Sequence, residues 1–280
     1  MTIKDLIEFG INELESVSDN ARKEIELLIL EYTNFRQIDL IINVKSEINE
    51  KEYSLIIEKI AKRKKGIPIQ YIIGNQEFMN LEFSVNEKVL IPRQDTEILV
   101  EKIISLYSKF EKVRVLDIGT GSGAISISLA KYLKNSSIVS VDISIDAINV
   151  AKGNAKLNGV LDQIEFIQSD LFNNLTNDNK FDIIVSNPPY IRSEEIAKLQ
   201  IEIKDYEPVL ALDGGNDGLD FYRKITEESI RFLKKNGMLA YEIGFDQGEG
   251  VRRMLLRKFN NIEVIKDYQH LDRMVIGYLK

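Results

Sequence analysis

The sequence has no cysteine, no tryptophan, a single histidine and five prolines among 280 residues. Without cysteine there is no disulfide, no thiolate nucleophile and no Cys-ligated zinc, and the absence suits a reducing compartment. The one histidine, His270, lies far from the motifs described below and reads as a surface or packing residue. No metal site is expected. Long apolar runs are also missing: none approaches the roughly 20 residues of a membrane-spanning helix. The start, Met1-Thr2-Ile3-Lys4-Asp5-Leu6-Ile7-Glu8, carries acids where a secretory signal needs a basic end and an apolar stretch. A cytoplasmic protein with no membrane partner is expected. Basic charge is in deficit too, with 37 Lys and Arg against 44 Asp and Glu, a net charge of -7. Proteins that grip duplex DNA or structured RNA present a basic face, because phosphate neutralisation supplies much of their affinity. No stable nucleic-acid partner is expected.

What remains is ordinary for a globular protein with a sizeable core: 44% hydrophobic and 29% charged residues. The length favours two domains. Residues 1–68 read as a helical domain. Ser18-Asp19 offers an N-cap ahead of Ile25, Leu28, Ile29 and Tyr32 at helical spacing, and Tyr53, Ile56, Ile57 and Ile60 form a second stripe. That stripe ends in Lys59, Lys62, Arg63, Lys64 and Lys65, then Gly66 and Pro68. Cations at the negative end of the helix dipole, a capping glycine and a blocking proline make this a stop signal rather than an RNA-binding cluster. Residues 69–92 read as a β-hairpin linker, with β-type runs at 71–73, 77–79 and 81–85 split by Gly74-Asn75 and Asn80. From residue 93 to 280, Asp95-Thr96-Glu97 caps a helix, and strands then alternate with helices from Val113 onward. Alternation of this kind implies an α/β fold with a mostly parallel sheet covered on both faces.

Leu116-Asp117-Ile118-Gly119-Thr120-Gly121-Ser122-Gly123 joins the first of these strands to its helix. Glycines there allow a tight turn and close approach of a ligand to backbone. Asp142, at the tip of the next strand, can accept both hydroxyls of a ribose, a need shared by NAD and S-adenosylmethionine. Asp117 separates the two: a carboxylate beside the loop repels a pyrophosphate but receives the ammonium of a methionine moiety. The expected cofactor is S-adenosylmethionine, held by Asp117, Gly119, Gly121, Gly123, Asp142, Asp170 and Leu171. Asp170 would accept from the adenine amine and Leu171 would cover the ring.

Asn187-Pro188-Pro189-Tyr190 ends the buried run Phe181–Ser186. Two prolines remove two N–H donors and fix two φ angles, so the turn presents rigidly held carbonyl acceptors. Such a turn suits a planar amide or exocyclic amine, whose delocalised lone pair attacks poorly. Accepting its two N–H groups on the Asn187 side-chain oxygen and the Pro188 carbonyl would orient it and stabilise the positive charge developing on nitrogen. Pro189 stiffens the turn, and Tyr190 can stack on the acceptor and add a cation–π contribution. Asn187, Pro188 and Tyr190 are therefore the expected catalytic residues, and all four residues the substrate contacts. The residues leave an amide and a nucleobase both open as the acceptor.

Beyond the tetrapeptide, the chain resembles the protein-(glutamine-N5) methyltransferases of peptide chain release factors, the HemK/PrmC family, over nearly its whole length. Pro68–Gly74, Ile91-Pro92-Arg93-Gln94-Asp95-Thr96-Glu97, Glu207-Pro208, Gly214–Gly218 and Tyr241-Glu242-Ile243-Gly244 are similar to that family's motifs. The resemblance implies a class I S-adenosylmethionine-dependent methyltransferase fold, Rossmann-like with seven strands, behind a helical domain that helps hold the substrate. It implies methyl transfer to the glutamine of the Gly-Gly-Gln tip of class 1 release factors, the partners expected, and it adds Thr120, Ser122 and Asn187 to the cofactor contacts. Some members carry an aromatic residue where Leu171 stands, with Phe172 the aromatic neighbour here. Without the resemblance, an adenine-N6 or guanine-N2 nucleic-acid methyltransferase remains the alternative.

Overall fold

A computed structural model describes residues 1–110, 112–176 and 180–280. The chain divides into two compact units, Met1–Gly74 with Gln200–Tyr206, and Asn75–Leu199 with Glu207–Lys280.

The first unit is helical: α1 (Ile3–Leu14), α2 (Ala21–Tyr32), α3 (Asp39–Ile42), α4 (Glu50–Lys64), α5 (Ile69–Ile73) and, much later in the chain, one turn at Ile201–Lys204. Thr2 and Asp5 close α1 with a reciprocal capping box. Ile3, Leu6, Leu14, Ile25, Leu28, Ile29 and Ile56 form its core, each fully buried and each contributing about 1.5–3 kcal/mol by leaving water. A Cβ on Gly10 would sit 2.4 Å from Ile25 Cδ1, so glycine is what lets α1 and α2 approach. The helix α2 starts one residue later than expected, at an Asn20 N-cap with no side-chain bond. Ser18 instead donates to Glu24 and accepts the Asn20 N–H. Much of the basic stretch is paired within this unit. Arg63, 3% exposed, pairs with Glu24 at 2.8 Å and Glu202 at 2.7 Å, while Lys62 pairs with Glu58 and Lys64 with Glu13.

Residues 71–73, expected as a strand, are helical. Pro68 precedes the first turn, Gly74 at φ +89° ends it, and Ile69 and Ile72 bury together at i, i+3 spacing. A proline–glycine bracket around one amphipathic turn outweighs the β preference of isoleucine.

The second unit opens with the hairpin β1 (Asn75–Phe78) and β2 (Leu81–Ser84), whose turn residues Met79 and Asn80 both have positive φ, as a two-residue turn matched to strand twist requires. There follow α6 (Gln94–Tyr107), β3 (Val113–Ile118), α7 (Ala124–Tyr132), β4 (Ser136–Asp142), α8 (Ile145–Leu157), β5 (Ile164–Gln168), β6 (Phe181–Ser186), α9 (Ser193–Ile196), α10 (the Ile201–Lys204 turn of the first unit), α11 (Asp220–Ser229), β7 (Leu233–Glu242), α12 (Gly248–Leu255), β8 (Phe259–Lys266) and β9 (Asp272–Leu279). The sheet order is β5-β4-β3-β6-β7-β9-β8, with β9 antiparallel to both neighbours and the others parallel in direction. The mostly parallel seven-stranded α/β sheet is as expected. Strand pleating divides its core in two. Val115, Ile183 and Val185 face α6 and α7, and Leu116, Ile184 and Leu239 face α11 and α12.

The strand order reverses between β3 and β6, and ligands of open α/β sheets bind outside the carboxyl ends of strands at such a point. The glycine loop follows β3 and the tetrapeptide follows β6, so both lie at that switch point.

Candidate active site

A cavity opens at these strand ends. Its floor is Ile118, Gly119 and Gly121 after β3, Val141 to Ser144 after β4, Ser169 to Leu171 after β5, and Ser186 to Pro189 after β6. Lys88 to Leu90, Pro208, Leu210, Phe221 and Lys224 form the facing wall. Of the residues expected at the site, Gly119, Gly121, Asp142, Asp170, Leu171, Asn187, Pro188 and Pro189 line this one cavity.

The three glycines have positive φ: +75° at Gly119, +54° at Gly121 and +85° at Gly123. A Cβ at the first two would point into open space, whereas at Gly123 it would strike Ile127 at 2.7 Å and Ala151 at 3.2 Å. Two glycines therefore clear the cavity, and the third lets α7 pack on α8. Thr120 and Ser122 are buried and do not line the cavity. Thr120 donates to Asp117 Oδ2 at 2.8 Å, and the Ser122 carbonyl accepts from Asn154. Both shape the loop from behind.

Asp117 is fully buried beneath the loop, and its Oδ1 has no hydrogen-bond partner. Burial pushes its pKa up to about 7, against the hydrogen bond from Thr120 and the nearby Ser126, with Asp142 adding repulsion. Asp142 sits half-buried at the rim, its Oδ2 accepting Gly121 N–H and its Oδ1 accepting Ser144 N–H, both at 2.9 Å. Burial raises its pKa and those backbone bonds oppose the rise. Each of its oxygens keeps a second lone pair for a ligand hydroxyl. Ser144 in turn caps α8 by accepting Ala147 N–H, so the acid and the cap serve adjacent ends of one turn.

Leu171 lines the cavity with φ +49°, held by its carbonyl accepting from Ser169 Oγ at 2.9 Å. Phe172 is 2% exposed and stacks on Phe232, ring centroids 4.8 Å apart, so it belongs to the core rather than to the cavity.

At the tetrapeptide, Asn187 Nδ2 donates to Thr96 Oγ1 at 3.3 Å, and Thr96 Oγ1 donates to Glu242 Oε2. Tyr190 does not line the cavity. Its ring is half-buried against the α11-side core, and its carbonyl accepts from Gln247 Nε2 at 2.9 Å. Burial, with Glu242 nearby, pushes its phenol up to about 12. The residues Asp95-Thr96-Glu97 do not cap α6, whose N-cap is Arg93 without a side-chain bond. Asp95 reaches Arg273 at 3.3 Å, Thr96 reaches Glu242, and Glu97 accepts Met79 N–H at 2.6 Å. Asn154 is a residue that sequence reasoning missed. Fully buried, it exchanges bonds with both backbone groups of Ser84 and donates to the Ser122 carbonyl, tying hairpin, α8 and glycine loop together. A polar residue on the buried face of an amphipathic helix was its available signal. Among the described residues no cluster of three or more His, Cys, Asp or Glu could hold a metal, and no helix is long and apolar enough to cross a membrane.

A glycine loop open to a cavity, an unpartnered buried carboxylate oxygen behind it, and a rim acid for a diol fit a ligand bearing an ammonium and a ribose. Set on this sheet, they define a Rossmann-like methyltransferase. The methyltransferase small domain matches residues 94–204, and the PrmC N-terminal domain matches residues 5–74. A release factor glutamine methyltransferase from Clostridium acetobutylicum is 43% identical, covering 99% of this chain and 98% of its own. One from Bacillus cereus is 41% identical, covering 94% and 95%. A methyltransferase structure from Pyrococcus furiosus, 17% identical, shares the fold with a TM-score of 0.53 over 82% of this chain and 98% of its own. The chain belongs to the release factor glutamine methyltransferase family.

Proposed function

We propose that this chain transfers a methyl group from S-adenosylmethionine to the side-chain amide nitrogen of the glutamine in the Gly-Gly-Gln motif of class 1 peptide chain release factors, in the cytoplasm. The observation that carries the reading is that Asn187 and Pro188 open onto the same cavity as Gly119, Gly121 and Asp142, in a chain whose full-length relatives bear that name. S-adenosylmethionine, when bound, supplies a methyl group made electrophilic by its sulfonium. Asp117 Oδ1 would take its ammonium, directly or through water, Asp142 its ribose hydroxyls and Asp170 its adenine amine, and Leu171 would cover the ring.

Asn187 Oδ1 and the Pro188 carbonyl accept the two N–H groups of the glutamine amide, turning its nitrogen toward the cofactor. The acceptors are rigid, so their alignment costs little entropy at the moment of attack. As nitrogen gains positive charge, both hydrogen bonds strengthen. No base is required beforehand, because the methylated cation sheds its proton readily. Tyr190, packed against the α11-side core, would act on the acceptor only by bracing the turn from behind. The helical domain, expected over residues 1–68, would help hold the release factor. A net charge of -7 and the names of its relatives give no support to nucleic acid as the acceptor.

The test is transfer of labelled methyl to a release factor carrying Gly-Gly-Gln. Incorporation is expected with the intact factor and none when that glutamine is alanine; labelling of the alanine factor would refute the assignment. Asn187→Ala should abolish transfer while leaving cofactor affinity within about threefold, since it removes a contact made mainly to the acceptor.

A further inference from the structure

Glu242 and Thr96 are 2% and 5% exposed and have no part in the chemistry described above, yet they form a chain that ends on Asn187. A hydroxyl has one proton to give. That of Thr96 goes to Glu242 Oε2, so the Thr96 oxygen faces Asn187 only as an acceptor. The group of Asn187 turned toward it must then be the NH2, as found, and the amide oxygen is left pointing away from Thr96. Tyr222 Oη donates to the Glu242 backbone carbonyl at 2.9 Å, fixing the strand end that carries the side chain.

We infer that Glu242 and Thr96 are positioning residues that set the amide of Asn187 with its oxygen toward the acceptor nitrogen, and that Glu242 does so only as a carboxylate. The inference rests on the reading that Asn187 accepts an N–H of the substrate. Protonated Glu242 can donate to Thr96, which frees the Thr96 proton for the Asn187 oxygen and swings the NH2 toward a substrate that offers only N–H groups there. Two donors then face each other, and the acceptor nitrogen loses its alignment. Groups around the carboxylate come from four elements: Asp95 on α6, Tyr190 after β6, Tyr222 on α11 and Arg273 on β9. Burial is the dominant influence and lifts Glu242 to about 7, with Thr96, Arg273 and Asn187 pulling down and Asp95 pushing up. The carboxylate is present above that value and lost below it, so activity should fall as pH drops through about 7.

The experiment compares Glu242→Gln, Thr96→Val and Thr96→Ser with the wild-type enzyme in labelled-methyl transfer to a Gly-Gly-Gln release factor between pH 6 and 8.5, with S-adenosylmethionine affinity measured by calorimetry. Glu242→Gln should lower kcat by about ten- to a hundredfold, the scale of an ångström-level misalignment, leave cofactor affinity within twofold, and flatten the acid limb. Thr96→Val should behave alike, while Thr96→Ser, which keeps the hydroxyl, should retain both rate and acid limb. Wild-type rate and pH profile in Glu242→Gln, or equal behaviour of Thr96→Val and Thr96→Ser, would overturn the inference. Should Glu242→Gln fail to fold, the near-isosteric Thr96 pair decides. Full activity in Asn187→Ala would instead remove the underlying reading. Loss in Asn187→Ala beside normal Glu242 and Thr96 variants would remove only the relay.

Discussion

Asp117→Asn should make the cofactor-free protein more stable at pH 8 and no more stable at pH 5. The carboxyl is fully buried, with its pKa pushed from 3.8 up to about 7, chiefly by loss of water. Below pH 4 the folded and unfolded chains both hold the proton. Between about 4 and 7 the unfolded chain ionises while the folded one resists, so folding stability falls as pH rises, and above 7 the loss is complete. A rise of about three pH units corresponds to a penalty of about 4 kcal/mol at pH 8. Asparagine removes that penalty and can still accept from Thr120, which now donates to Oδ2. Its NH2, however, would lie where Oδ1 now has no partner, and an unsatisfied buried donor costs about 1–3 kcal/mol. The net gain at pH 8 is therefore about 1–3 kcal/mol, and at pH 5 the variant should equal or fall below the wild type. Urea denaturation at the two pH values measures both differences. A variant less stable than wild type at pH 8, or a difference that ignores pH, would refute the account. Calorimetry should show weaker cofactor binding in the same variant, so the stabilised protein is the poorer enzyme.

Arg63→Met should destabilise folding by about 3–5 kcal/mol in chemical denaturation, because it strands the Glu24 carboxylate in a buried position; adding Glu24→Gln should recover most of the loss. Gly123→Ala should cost about 2–4 kcal/mol by the same measurement, combining a left-handed backbone with overpacking against Ile127. Phe172→Leu should lower stability by about 1–3 kcal/mol while leaving cofactor affinity nearly unchanged, since the ring packs on Phe232 instead of facing the cavity.

The sheet was legible in the sequence because its strands are buried on both faces and read as short, mostly apolar runs between glycine and polar turns, Val113–Ile118 and Phe181–Ser186 above all. The cavity floor was legible at Gly119, Gly121, Asp142 and Asn187 because strand ends and short motifs place those residues without help from distant contacts. Local signals failed where tertiary partners decide. Tyr71, Ile72 and Ile73 suggested a strand, and only the burial of Ile69 and Ile72 in the helical core explains the turn they form. Thr96 and Glu97 look like caps, but their hydrogen bonds go to residues 146 and 18 positions away. Asn154 and Arg63 act through partners up to 139 positions apart, a separation that no spacing rule encodes.

The membership of Gln200–Tyr206 in the helical unit has a genetic consequence. A module that begins and ends at one junction can be gained, lost or grafted by a single cut. This one meets the rest of the chain at three junctions, after Gly74 and on either side of 200–206. A gene fragment beginning at residue 75 would still encode Glu202 and Tyr206, but not the Arg63 side chain and the Lys65 carbonyl that they hold. Recombination at the obvious boundary therefore yields two broken pieces, and the two units are expected to travel through evolution together.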